Sequence, residues 1–324
     1  NVRLQYLSIV LIALTLSCAQ EPEHAQQAVN GTRHVTSFAE IERLFEKPPV
    51  AFSTAPFWVW NADMNEEIID EQLEDMHAAG IDALFIHPRP GLITPYLSDR
   101  WHELCAYAVD QGRKKGMELW IYVENSYPSG FAGGHVPAEM PSSYEQGQGL
   151  VYRKADSIPA GSGAEYVTVL KKDGDAFIDV TASLESGKGD GGDYRLFEKA
   201  FYRNSPWFGG YSYVDLLLPG VTEKFIEVTM RGYERTLGSE LGRSVPGVFT
   251  DEPNIAPPVG GSIRWTPGLF DAFRARWGYD LESSLVSLFE ETGDWKRVRH
   301  NYYALMLELF IERWSKPWHN YTEQ

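Results

Sequence analysis

Two adjacent carboxylates, Asp251 and Glu252, close the short β-branched and aromatic run Val245-Pro246-Gly247-Val248-Phe249-Thr250, and Pro253 follows them. A run of that composition reads as a buried strand, and in a barrel of parallel strands the acids at its C-terminal end would face a cleft. A lone Asp-Glu-Pro is equally compatible with a solvated turn, but the pattern recurs upstream. Trp60-Asn61 ends one apolar run, His87-Pro88-Arg89 a second, and Glu124-Asn125-Ser126-Tyr127 a third. Cleavage of a glycosidic bond needs one carboxylic acid to protonate the leaving oxygen and a second carboxylate to act as base or nucleophile. Glu252 and Glu124 are the candidates for that pair, with Glu252 as a general acid whose pKa partial burial would raise. Asn61, His87, Arg89, Asn125 and Asp251 can hold hydroxyl groups, and Trp60 and Tyr127 can stack on a sugar ring. Metal chemistry would instead use His87, Glu124 and Asp251 as ligands, although three residues on three strands lack the local spacing of a metal motif.

The elements that must position these groups alternate. Phe57 to Trp60 reads as a strand, Asn65 caps a helix that Gly80 ends, and Ile81 to Ile86 is a second strand. Ser98 caps a second helix, with Arg113, Lys114 and Lys115 in its last turn before Gly116, and Met117 to Val123 is a third strand. Strand-helix units in this rhythm predict a parallel sheet covered by helices, an α/β fold of (β/α)8 TIM-barrel type. The four strands make up half of such a barrel. The first units are expected over 51–135 and further units over 211–324. Between them, 136–210 is rich in Gly, Ser and Asp, with a hairpin signal at Lys172-Asp173-Gly174-Asp175, and is expected to be a small β insertion. Thr266 and Pro267 predict a helix start, and a long helix carries Tyr302, Leu305, Met306 and Leu309, expected to pack on the outer face of the half-barrel.

Composition bounds the partners. The 324 residues carry a formal net charge of −16, which repels nucleic acid and anionic membrane surfaces and suits a neutral substrate. Arg3 precedes an apolar run from Leu7 to Leu16, too short to span a bilayer but suited to the core of an export signal. Ser17-Cys18 follows, so residues 1–18 read as a lipoprotein-type signal peptide, with Cys18 as the lipidated residue, 19–50 as a tether, and the bacterial envelope, periplasm or outer membrane, as the location. Thr15, three residues before Cys18, departs from the Leu usual there, and ordinary cleavage near Ala19 is the alternative. Cys105, the other cysteine, sits in a helical pattern and reads as a small buried hydrophobe.

Taken together, Pro56-Phe57-Trp58-Val59-Trp60-Asn61, the helix from Glu71-Gln72-Leu73 to Ala79-Gly80, and Ile86-His87-Pro88-Arg89-Pro90-Gly91 resemble the α-L-rhamnosidase-type glycoside hydrolases of family one hundred and six. Glu124-Asn125-Ser126-Tyr127-Pro128-Ser129-Gly130 with Ala132-Gly133-Gly134, and Phe249-Thr250-Asp251-Glu252-Pro253, continue the likeness. The resemblance implies a (β/α)8 barrel, hydrolysis of a terminal bond in an oligo- or polysaccharide with inversion, and a calcium ion near the sugar. It also implies that Glu252 is one of a catalytic pair whose partner lies on a later strand. A glycan-binding protein without catalysis, or a glycosidase acting on another sugar, would use the same cleft.

Overall fold

A computed structural model describes residues 35, 37–46, 48–52, 54–157, 166–182 and 191–324. Cys18, the export signal and the polar stretch up to His34 lie outside the described residues. The chain divides into two compact units, Asn1–Phe52 and Ser53–Gln324. In the first, α1 (Phe38–Glu46) starts where Ser37 Oγ accepts the Glu40 N–H, and its Phe38, Ile41 and Phe45 are exposed. The segment expected to be only a tether therefore contains a helix, because apolar residues at this spacing form one stripe once the turn is capped.

The second unit holds both sheets. Strands β1 (Phe57–Trp60), β2 (Ala83–Pro88) and β3 (Glu118–Tyr122) lie side by side in chain order, all parallel. Helix α2 (Glu66–Ala78) links the first two and α3 (Asp99–Lys115) the next two. Asn65 Oδ1 accepts from Ile68 N–H, Ser98 Oγ accepts from Trp101 N–H, and Gly116 ends α3 in the left-handed conformation at φ +75°. These are the stops and starts that local chemistry dictates. The fourth parallel strand, Val248–Phe249, is shorter than expected and pairs with β3 through Ile121 and Tyr122.

Successive side chains on these strands alternate between faces. Trp58, Trp60, Leu84, Ile86, Leu119, Ile121 and Val123 point into one core with Ile69, Leu73, Trp101, Leu104 and the buried Cys105. The opposite face carries Phe57, Phe85, His87, Trp120, Tyr122 and Phe249, whose rings touch one another. The described residues thus form a mixed α/β fold with an open parallel sheet and helices, and not a closed barrel.

The second sheet is antiparallel and has five strands. β4 (Gly149–Ala155), β5 (Tyr166–Asp173), β6 (Ala176–Asp179) and β7 (Tyr194–Ala200) fall within the β-rich segment, with β5 and β6 forming the hairpin around Gly174. Taking Val248–Phe249 as β8, the fifth member is β9 (Ile263–Arg264), which pairs with Gly149 and Leu150 from beyond the parallel sheet. The sheet is therefore not confined to 136–210. Leu150, Phe197 and Ile263 share a second core with Phe273 of α6 (Leu269–Trp277) and with Tyr302, Leu305 and Leu309 of α7 (Trp295–Phe310). Two expectations need correction here. α6 starts after Gly268, not at Pro267, and α7 packs with the antiparallel sheet rather than on the outside of the parallel one. The C-terminal end of α7 and its continuation return to the first core: Phe310 packs against it, and Trp314 in a π turn and Trp318 of α8 (Lys316–Thr322) meet Phe225 of α5 (Val221–Leu237). A buried ion pair, Arg264 with Asp215, joins β9 to the segment before α5, and Gln148 Oε1 accepts a further Arg264 N–H at 2.9 Å.

Candidate active site

The C-terminal ends of the parallel strands gather most of the expected polar groups, but in three distinct environments. On the open face, His87 is 2% exposed, with its ring stacked on Phe57 at 4.8 Å between centroids and edge-on to Tyr122 at 3.8 Å. Its Nδ1 has no hydrogen-bond partner. Burial and the nearby Arg89 charge push its pKa down to about 4, against a smaller opposing pull from Asp251, so it is a neutral imidazole near pH 7. Tyr122 donates its hydroxyl proton to Asp251 Oδ2 at 2.5 Å, and burial together with that carboxylate raises the phenol pKa.

Glu124 stands apart. It is fully buried, and its two oxygens accept four backbone N–H groups: Asn125 at 3.1 Å, Gly130 at 3.3 Å, Ala132 at 2.8 Å and Gly133 at 2.7 Å. Burial pushes the carboxyl up to about 8, while the amide donors pull the other way. The expectation that Glu124 faces the cleft as a catalytic carboxylate is corrected. Its oxygens are occupied in shaping the loop 125–134, where Ala132, Gly133 and Gly134 all have positive φ.

That loop is latched to the fourth strand. Ser129 N–H donates to the Asp251 carbonyl at 2.7 Å, and Asp251 N–H donates back to Ser129 Oγ at 2.8 Å. Tyr213 O–H donates to the Ser129 carbonyl at 2.7 Å and its oxygen accepts the Asn254 N–H at 3.1 Å. The next residue after Asp251 is strained: Glu252 has φ +46°, a conformation disfavoured for residues with a Cβ, and its side chain is exposed. The partial burial expected of Glu252 is absent among the described residues. Held left-handed beside a doubly bonded neighbour, its carboxylate is presented outward at the strand end, the kind of strain that clusters at functional sites.

The third environment is aromatic. Tyr127 is 37% exposed, and the Arg89 guanidinium carbon lies 5.5 Å from its ring centroid. Trp207, also 37% exposed, meets Tyr127 edge to face at 5.5 Å and 79°, and its Nε1–H donates to the Tyr127 carbonyl at 2.5 Å. Trp207 was not anticipated from the sequence, nor were Tyr122, Ser129 and Tyr213; the only local hint at Trp207 is Pro206 before it and Gly209-Gly210 after it. Asn61 is exposed and Asn125 half-buried at the same strand ends. Trp60 is corrected: it is fully buried in the helix-side core against Trp58 and Trp101, so it offers no surface for stacking.

Of the residues weighed as metal ligands, Glu124 has both oxygens taken by backbone amides and Asp251 has Oδ2 taken by the Tyr122 hydroxyl. No group of three or more His, Cys, Asp or Glu that could hold a metal occurs among the described residues.

No family model matches the chain, and no curated protein matches it. Among solved structures, the chain is similar to the structure of a rhamnosidase from Novosphingobium sp. PP1Y, with a TM-score of 0.54 and 13% identity over 84% of this chain. The match covers 45% of that protein, so the chain corresponds in length to less than half of its structural relative. At this identity the likeness is one of fold: a mixed α/β chain with a parallel sheet and helices, arranged as in part of that structure.

Proposed function

We propose that this protein is an exported glycoside hydrolase of α-L-rhamnosidase type, carrying a (β/α)8 barrel of which the parallel sheet is one half. It hydrolyses a terminal bond of an oligo- or polysaccharide with inversion while held in the bacterial envelope by lipid on Cys18. The observation that carries this reading is Glu252, exposed and held at positive φ at the C-terminal end of a parallel strand, next to an Asp251 fixed by Tyr122 and Ser129. The fold likeness to a rhamnosidase supports the class. Glu252 acts as general acid toward the leaving oxygen, and a second carboxylate, which is not Glu124, serves as base. Arg89 holds hydroxyl groups, and Asn61 and Asn125 are placed to do the same, whereas His87, neutral and 2% exposed, is packed against Phe57 and Tyr122 and offers little surface to a ligand. In the full-length protein, Glu252→Gln lowers turnover of aryl α-L-rhamnosides by orders of magnitude with unfolding unchanged; turnover near that of the parent on a range of aryl glycosides rejects the assignment. Cys18→Ala moves the protein from the membrane fraction to the soluble one, and identical fractionation of the two rejects the anchor. A second reading, glycan binding without catalysis, is favoured by the engagement of Glu124 in loop structure, and the same Glu252→Gln measurement separates the two.

A further inference from the structure

We infer that Trp207, Tyr127 and Arg89 form a sugar subsite, built jointly by the strand-end loop and the segment that follows β7, which takes a neutral pyranose ring. The inference rests on the hydrolase reading and names where that site grips its substrate. Trp207 is exposed but rigidly mounted. Its own N–H donates to Ser205 Oγ at 3.2 Å, and the turn around it closes through Ser205 N–H to the Tyr211 carbonyl at 2.8 Å and Gly210 N–H to the Ser205 carbonyl at 3.0 Å. Neighbouring Phe208 packs on Phe131 at 5.2 Å and on Tyr213 at 5.6 Å.

Behind the turn, the backbone of Gly209 lies directly on Gly133 and Gly134. A Cβ on Gly134 would sit 3.0 Å from Gly209 Cα, and one on Gly209 would sit 2.5 Å from the Gly133 carbonyl oxygen. Only glycines permit that approach at these positive φ values, and Gly133 is itself held by Glu124. The buried carboxylate, the glycine contact and the turn thus form one chain of support ending in an exposed indole.

The indole N–H is spent on the Tyr127 carbonyl and part of the ring on the Tyr127 contact, so Trp207 offers a ligand its remaining exposed ring surface. Such a face attracts the weakly positive C–H bonds of a pyranose, and a rigid aromatic loses little side-chain entropy on binding. Tyr127 stands at 79° to it, giving a corner rather than a flat patch. Arg89 makes no ion pair among the described residues, and its fork of donors beside the Tyr127 ring is available to hydroxyl oxygens at the edge of the sugar. An exposed indole, an exposed phenol ring and a guanidinium with no ion pair among the described residues thus meet at the strand ends, and a sugar engages all three.

The test is isothermal calorimetry on the full-length protein with methyl α-L-rhamnopyranoside, methyl β-D-galactopyranoside and methyl β-D-glucopyranoside. Trp207→Ala weakens binding of the preferred glycoside about tenfold, an effect of the size expected for one aromatic contact, while Trp207→Phe keeps most of the affinity. Unfolding midpoints of both variants check that the turn remains folded. A parent that binds a pyranoside together with a Trp207→Ala variant that binds it equally well overturns the subsite and leaves the hydrolase reading standing. A parent that binds none of the three overturns the subsite and weighs against the hydrolase as well.

Discussion

Lowering the pH should unload stability stored in one side chain, His87. The imidazole is 2% exposed, sandwiched against Phe57 and Tyr122, with an unpartnered Nδ1 and the Arg89 charge nearby. Its pKa falls from an ordinary 6.5 to about 4. In the unfolded chain the ring takes up a proton below about pH 6.5; in the folded protein it does so only below about 4. Between these values the unfolded state holds more protons, so stability decreases as pH falls through this window and levels off beneath it. At about 1.4 kcal/mol per pH unit, the full loss is about 3 kcal/mol. The assay is urea unfolding at fixed pH steps from 7.5 to about 3.5, comparing the parent with His87→Phe, which keeps a ring against Phe57 but cannot titrate. Other titrating groups act on both proteins, so the difference between the two curves isolates His87. That difference should shift by about 3 kcal/mol in favour of the variant between about pH 6.5 and 4. Parallel curves across the window would show that His87 titrates normally, and the buried, neutral imidazole would have to be abandoned.

Other perturbations probe the supports of the site. Arg264→Met strands the fully buried Asp215 carboxylate and should cost about 3–5 kcal/mol in chemical unfolding; a loss under about 1 kcal/mol would mean the pair is wetter than its burial indicates. Glu124→Ala leaves four N–H groups, two of them in buried hydrogen bonds, without their acceptor, at about 1–3 kcal/mol for each buried one that finds no substitute, and amide exchange at Gly130, Ala132 and Gly133 should accelerate. Unchanged protection there would show that the loop holds its shape without the carboxylate. Glu252→Gly relieves the left-handed strain at φ +46°, about 1–2 kcal/mol, and gives back about 0.5–1 kcal/mol through the freer unfolded chain. The net expectation is unchanged or slightly raised stability with lost turnover, and clear destabilisation would argue that the Glu252 side chain makes a structural contact.

Much of the architecture was legible from local chemistry. Asn65 and Ser98 cap α2 and α3, Gly116 terminates α3, and Gly174 turns the hairpin, because each choice is made within a few residues and pays little heed to the rest of the chain. The order of the parallel strands followed from short strand-helix units in sequence. What only the tertiary structure decided was which way groups face and what they meet. Phe57-Trp58-Val59-Trp60 is apolar on both sides, so its period of two announces two faces without saying which one the helices cover; the fold put Trp60 in the core and Phe57 on the open face. Glu124 looked like a cleft acid because nothing in its neighbours reveals that four amides up to nine residues away converge on it. Pairing of β9 with β4, and of Trp207 with Tyr127, joins residues about 115 and 80 positions apart. Periodicity and capping are near-neighbour signals, whereas these contacts depend on how whole elements dock, so they exist only once the chain has folded.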